Sequence, residues 1–110
     1  MPYNATPGRL EANTVTALLK DTPTIPEISR FFGIIITLFY DEHNPPHFHA
    51  RYGRDKAVIE IASLRMLEGR LHPRVLGLVI EWASHHQDAL MRDWQLARDE
   101  KPPEKIAPLG

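Results

Sequence analysis

At 110 residues, the chain is long enough for one domain with its own hydrophobic core and too short for two domains of ordinary size. Its content of 43% hydrophobic and 25% charged residues is usual for a globular protein and excludes a largely disordered chain. The sequence has no Cys, which excludes disulfides, thiolate zinc sites and a Cys nucleophile, and a formal net charge of −1 excludes a strongly basic protein.

Charge and hydrophobicity are distributed unevenly along the chain. Residues 47–74 contain six basic and three acidic side chains, whereas residues 75–104 contain three basic and six acidic ones. A basic middle suits a polyanion or an acidic partner, and it is equally explained as a solvated surface. No apolar run approaches the ~18 residues of a membrane span. The N-terminus lacks the basic and apolar regions of a secretory signal, so we expect a cytoplasmic protein without membrane contact.

The first 24 residues differ in character from the rest. They carry several turn-forming residues, namely Pro2, Pro7, Gly8 and Pro23. Only residues 10–20 favour a short helix, with three apolar side chains on one side. The sequence therefore predicts a loosely ordered N-terminal extension over residues 1–24 and a single domain over residues 25–110.

The next part of the chain predicts strands. Residues 31–40 are rich in β-branched and aromatic side chains and favour a central strand. Asp, Asn and two prolines in residues 41–46 predict a rigid turn. Two alternating segments, residues 47–52 and 56–61, then favour a hairpin that turns at Gly53-Arg54-Asp55, and residues 65–69 add a short fourth strand.

The C-terminal part predicts a helix. Pro73 suits a first helical turn, and apolar residues recur after it at three-to-four-residue intervals, including Trp82 and Trp94. The helix is long or is broken near Ser84-His85-His86, and the prolines after Lys101 end it. The fold class is thus α+β: a small antiparallel sheet of three to four strands followed by a long or kinked C-terminal amphipathic helix packed on one face.

The candidate chemistry is concentrated in the turn and strand that contain His43, His47 and His49. His47 and His49 are two residues apart, so on a strand they share a face and could act as catalytic general base and acid on a phosphodiester. His43 would complete a metal site with them, and Asp41 and Glu42 offer carboxylates within reach. A purely structural role, in which the rings pack and satisfy turn carbonyls, explains the same residues.

Substrate contacts are predicted next to these histidines. Arg51 and Arg54 flank the histidine strand and its turn, and they would bind the phosphates of an RNA substrate, with Tyr52 between them as a third substrate-binding residue. Without such a substrate they are surface charges. The remaining histidines are expected to be surface residues or, for His72, a helix-start residue. Trp82 and Trp94 are expected in the core or an interface.

Several segments of the chain resemble one family of short bacterial proteins, domain of unknown function 4160, from about Pro26 onward. The matching segments are PEISRFFG at 26–33, DEHNPPHFHARYG at 41–53, LEGRL at 67–71, VIEWA at 79–83 and WQLAR at 94–98. The resemblance implies a protein encoded beside another small protein, in arrangements suspected to be toxin–antitoxin modules. It implies no activity and no catalytic residues.

Three hypotheses for function remain open. In the first, a toxin-like effector of a two-gene module cleaves RNA with His47 and His49 and needs no cofactor. In the second, the chain is a non-enzymatic binding or regulatory module that pairs with its small cognate protein or with a second copy as a homo-oligomer. In the third, it is a metal-dependent hydrolase centred on His43, His47 and His49, with a divalent metal as cofactor.

Overall fold

The computed structural model describes residues 26–40 and 42–110. The described chain forms one five-stranded antiparallel sheet followed by two helices, which confirms the α+β prediction and adds one strand to it. The strands, in sequence order and in order across the sheet, are β1 (Glu27–Phe31), β2 (Ile34–Thr37), β3 (His47–Tyr52), β4 (Asp55–Glu60) and β5 (Met66–Gly69); the helices are α1 (Pro73–Ser84) and α2 (Gln87–Arg98). The predicted extension over residues 1–24 lies outside the described residues.

The first two strands form a hairpin where the sequence predicted a single strand over residues 31–40. Phe32 and Gly33 turn the chain, and both have positive φ angles, 51° and 80°. Two consecutive positive φ angles match the twist of the flanking strands, which is why such turns join antiparallel neighbours. The strand pattern therefore breaks inside an apolar run, and β2 ends at Thr37.

One face of the sheet is buried against the helices. Alternation directs the side chains of Phe48 and Ala50 in β3 to this face, together with those of Ile34 and Ile36 in β2. The two tryptophans of the helices are also buried, and the Trp82 ring lies 5.9 Å from the Phe48 ring in an edge-to-face arrangement. Apart from the buried His47, the opposite face carries half-buried and exposed side chains, so it is the open face of the sheet.

The helices are separated by a short break, as the Ser84-His85-His86 segment predicted. Helix α1 ends at Ser84 and α2 begins at Gln87, whose side-chain amide donates to the Ile61 carbonyl at the end of β4. The C-terminal segment folds back onto the sheet, where Ile106 N–H donates to the Ile28 carbonyl of β1. In the part of the chain that the structure describes, no helix has both the length and the apolar character needed to cross a membrane.

Candidate metal centre

Strand β3 places two histidines side by side on the open face of the sheet. His47 and His49 are separated by one residue, Phe48, which points into the core. Because side chains alternate along a strand, both imidazoles leave the same face. Their ring centroids are 5.2 Å apart. His49 is paired with both β2 and β4, and His47 is paired with β4, so the sheet holds the backbone of both residues.

A carboxylate from the preceding loop completes the cluster. Glu42 Oε1 lies 2.6 Å from His47 Nε2 and 3.1 Å from His49 Nε2. One ligand atom from each of the three side chains lies within 4.8 Å of the other two. This is the spacing at which side chains can share one metal ion, because ligand-to-metal distances for nitrogen and oxygen are about 2.0–2.2 Å.

The hydrogen bonding of His47 determines which of its nitrogens is available. His47 Nδ1 lies 2.7 Å from the Pro45 carbonyl oxygen, which can only accept, so Nδ1 carries the proton and donates. His47 Nε2 lies 2.6 Å from Glu42 Oε1, an acceptor, so a metal ion bound here would take the place of the proton shared in that hydrogen bond. The ring is only 8% exposed and lies 5.0 Å from the Trp94 ring, so its orientation is fixed.

The other two side chains are held in protonation states that suit a metal ligand. Burial lowers the pKa of His49 below its ordinary value of 6.5, and the Glu42 carboxylate opposes this shift only in part. Burial also raises the pKa of Glu42, but hydrogen bonds with His47 and His49 outweigh that effect and hold it below 4.5. A neutral imidazole and an ionised carboxylate are the forms that bind metal. Phe39 stacks on the His49 ring at a centroid distance of 4.1 Å and fixes its plane.

The cluster opens onto a cavity of about 390 Å³ on the open face. Its walls include the three clustered side chains and Glu68 of β5. Glu68 lies in one row across the sheet with His49, since Val58 of β4 pairs with both. It is not among the three converging side chains. The site therefore borders a cavity, and that cavity has a further carboxylate among its lining residues.

The structure brings some of the metal ligands predicted from the sequence together and leaves others out of the cluster. His47 and His49 come together, and their third neighbour is Glu42 in place of His43, which is exposed and lines the same cavity. Asp41 lies outside the described residues.

Of the predicted substrate-binding residues, one lies near the histidines and two do not. Arg51 shares the open face with His49 and lines an adjoining cavity of about 380 Å³. Arg54 is in the β3–β4 turn, at the far end of the hairpin. Tyr52 alternates to the opposite face, where its ring approaches Gly33. Only Arg51 of the three is thus close to the histidines.

Three residues near the cluster were missed by sequence reasoning. Phe39 was predicted to belong to the central strand over residues 31–40; it lies beyond the end of β2 and packs on His49. Lys56 lies directly across from Arg51 in the β3–β4 register, which the predicted hairpin turn could have indicated. Glu68 reaches the site only through the β4–β5 pairing, which contains a register shift that no local pattern reveals.

Comparison with known proteins agrees with the resemblance seen in the sequence. The family described as "Domain of unknown function (DUF4160)" matches residues 33–95, a stretch that contains β2 to β5, α1 and most of α2. No curated protein matches the chain. No solved structure matches it either.

Proposed function

The chain belongs to the DUF4160 family, and we propose that it is a metal-dependent hydrolase with a divalent ion held by Glu42, His47 and His49. The observation that carries this proposal is the convergence of three ligand atoms within 4.8 Å on an accessible face. Two imidazoles and one carboxylate are a protein ligand set of catalytic zinc sites and of non-haem iron sites. Such sites leave coordination positions open for water and substrate.

The surroundings of the cluster support a catalytic ion over a purely structural histidine network. His47 donates its Nδ1 proton to a main-chain carbonyl, the arrangement that commonly orients a metal-binding imidazole. Two of the three ligands lie on the middle strand of the sheet, which holds them more precisely than a loop would. The cavity borders the cluster on one side, so a substrate can approach the three side chains from that side.

The chemistry assigned to the chain is hydrolysis. A divalent ion at this position would act as a Lewis acid and lower the pKa of water to about 7. Glu68, which lines the same cavity, would accept the proton that the water loses. The water oxygen forms a bond to the electrophilic centre of the substrate, the bond to the leaving group breaks, and the leaving group takes up a proton from solvent.

A second candidate is a metal-free ribonuclease with His47 and His49 as catalytic residues, acting as the toxin-like component of a two-gene module. The distance of 2.6 Å between Glu42 Oε1 and His47 Nε2 favours it, because a carboxylate that hydrogen-bonds an imidazole is a common means of orienting a catalytic histidine. On this hypothesis expression slows growth, the neighbouring protein relieves the effect, and chelators leave the activity unchanged. If chelation abolishes the activity and zinc restores it, the metal-dependent mechanism is favoured.

Metal titration of protein purified without a polyhistidine tag tests the proposal. We expect one zinc or manganese ion per chain by calorimetry, and at least a tenfold loss of affinity in Glu42→Gln and in His49→Gln. His85→Gln, which changes an exposed histidine in the helix break, is the matched control and should bind as the wild type does. Circular dichroism verifies that each variant is folded.

Two outcomes of this titration would contradict the geometry. If His43→Gln loses the metal and Glu42→Gln keeps it, the ligand set predicted from the sequence is right and the one described here is wrong. If the wild-type chain binds neither zinc, manganese, nickel nor iron, the metal centre is absent and the metal-free mechanism is the remaining enzymatic candidate.

A further inference from the structure

Two basic side chains lie directly opposite each other beside the candidate metal centre. Arg51 of β3 pairs with Lys56 of β4, and both are exposed. Like charges directly across two strands repel each other and are unfavourable in a sheet. Within residues 26–40 and 42–110, neither side chain forms an ion pair. The nearby carboxylate of Glu27 is held by Arg30 at 2.7 Å. A group that neutralises both cations at once would remove the repulsion.

These cations share a cavity wall with the metal centre. Arg51 follows His49 by two residues, so it leaves the same face of β3 about 7 Å along the strand. Both cations, His49 and Phe39 line the adjoining cavity of about 380 Å³. The open face therefore carries the Arg51 and Lys56 cations next to carboxylates: Glu27 lines the same cavity as the cations, and Glu68 shares a further cavity with Lys56. An anion bound between the cations and the metal centre would contact the metal ion through one oxygen and the guanidinium through others.

The same cavity has an apolar floor. Ile35 and Phe39 are half-buried there, and most of the surface that lines the cavity is apolar. One face of the Phe39 ring is occupied by His49, and the ring borders the cavity as well. The volume is at the lower end of the range for small-molecule sites, which suits one flat ring with its attached sugar. The part of the substrate that lies in this cavity would thus be partly aromatic or apolar.

We infer that the substrate is a nucleotide phosphate ester, with Arg51 and Lys56 binding the phosphate beside the ion and the base lying over the Phe39 floor. This inference rests on the hydrolase proposed above. In the reaction, a water oxygen bonds to phosphorus and its proton passes to Glu68. The phosphorus–oxygen ester bond breaks, and the displaced oxygen takes up a proton from solvent. The nucleotide can be free or part of a single strand.

Binding of two probes distinguishes a free nucleotide from a nucleotide within a single strand. A fluorescein-labelled, phosphorothioate-linked octaribonucleotide is titrated by anisotropy in the presence of zinc, and AMP competes for the same site. We expect Arg51→Gln and Lys56→Gln to raise the Kd for both probes at least tenfold. Arg74→Gln, an exposed cation at the start of α1, is the matched control and should leave both unchanged. If Arg54→Gln weakens the octanucleotide alone, the source is a strand that extends along the hairpin.

The salt dependence and the zinc affinity separate failure of this inference from failure of the metal centre. Each phosphate-binding cation that is removed should reduce the slope of log Kd against log salt by about 1. If zinc binds but Arg51→Gln and Lys56→Gln behave like wild type toward both probes, the phosphate subsite is wrong and the metal centre stands. If the two variants lose the probes although zinc does not bind, the subsite stands and the metal centre fails. No binding of either probe by the wild type overturns the inference.

Discussion

Replacing Gly69 with alanine is expected to detach the edge strand β5 from the sheet. Gly69 has a φ of 83°, a region that costs a residue with a Cβ about 1–2 kcal/mol. A Cβ at this position would overlap the Lys56 carbonyl oxygen and lie 2.9 Å from Ala57 Cα. Both are backbone atoms, so they cannot rotate away. The hydrogen bond from Arg70 N–H to the Lys56 carbonyl, 2.9 Å long, would be lost as well, at about 0.5–1.5 kcal/mol.

The backbone and hydrogen-bond contributions alone place the loss in the free energy of unfolding at roughly 1.5–3.5 kcal/mol, and the overlap adds to this; the free energy of unfolding of an ordinary domain is ~5–15 kcal/mol. Urea denaturation measures it. Gly53→Ala is the matched control, since Gly53 also has a positive φ but has no atom within 4 Å of the added Cβ, so only the backbone cost applies. Amide exchange at Arg70 should accelerate in Gly69→Ala alone. Equal losses in the two variants would refute the overlap argument.

Three further predictions concern the helices and the tail. Trp82→Phe removes the indole donor to the Ala107 carbonyl, 2.8 Å away, and should cost about 1–3 kcal/mol in urea denaturation, with faster amide exchange in the tail. Gly77→Ala, on the exposed side of α1 with open space around the added Cβ, should raise the free energy of unfolding by about 0.5–1 kcal/mol. Burial raises the pKa of Asp93 above its ordinary 3.8, so its contribution to stability is complete below that value and is lost as the pH rises through the raised pKa. Asp93→Asn, which can still accept the Glu104 N–H, should remove this loss in denaturation series between about pH 3 and pH 7; an unchanged pH profile would contradict it.

Features of the chain that follow from local periodicity could be predicted from the sequence. The period of two along β3 places His47 and His49 on one face, and the structure brings their rings together. The helical spacing of Trp82 and Trp94 predicts burial, and both are 1% exposed or less. The polar Ser84-His85-His86 segment predicts the break between the helices. Each of these inferences needs only a few neighbouring residues.

Features that depend on the course of loops or on distant pairing could not be predicted. In the apolar run around Phe32, only Gly33 indicates a turn. Phe32 itself gives no such signal, because an exposed aromatic residue with a positive φ is rare. The choice of Glu42 over His43 depends on how the loop before β3 is held. That loop is tied to α2 by Arg98, 54 residues along the chain from Asn44. The sequence spacing alone places Glu42 and His43 equally close to His47 and His49, so it cannot distinguish between them.

The candidate centre is connected to both faces of the sheet. The covered face supplies the core, and the open face supplies the groups that could bind an ion and an anion. His47 belongs to both, because its ring contacts Trp94 of α2 while its Nε2 is directed toward Glu42. Its Nδ1 is already committed to the Pro45 carbonyl. A change in the packing of α2 would therefore alter the position of one metal ligand directly, whereas His49 is held by strand pairing and by the stacked Phe39 ring, and Arg51 lies on the same paired strand. For this reason, metal affinity should respond to substitution of Trp94 in the core, whereas phosphate affinity measured without the metal ion should not.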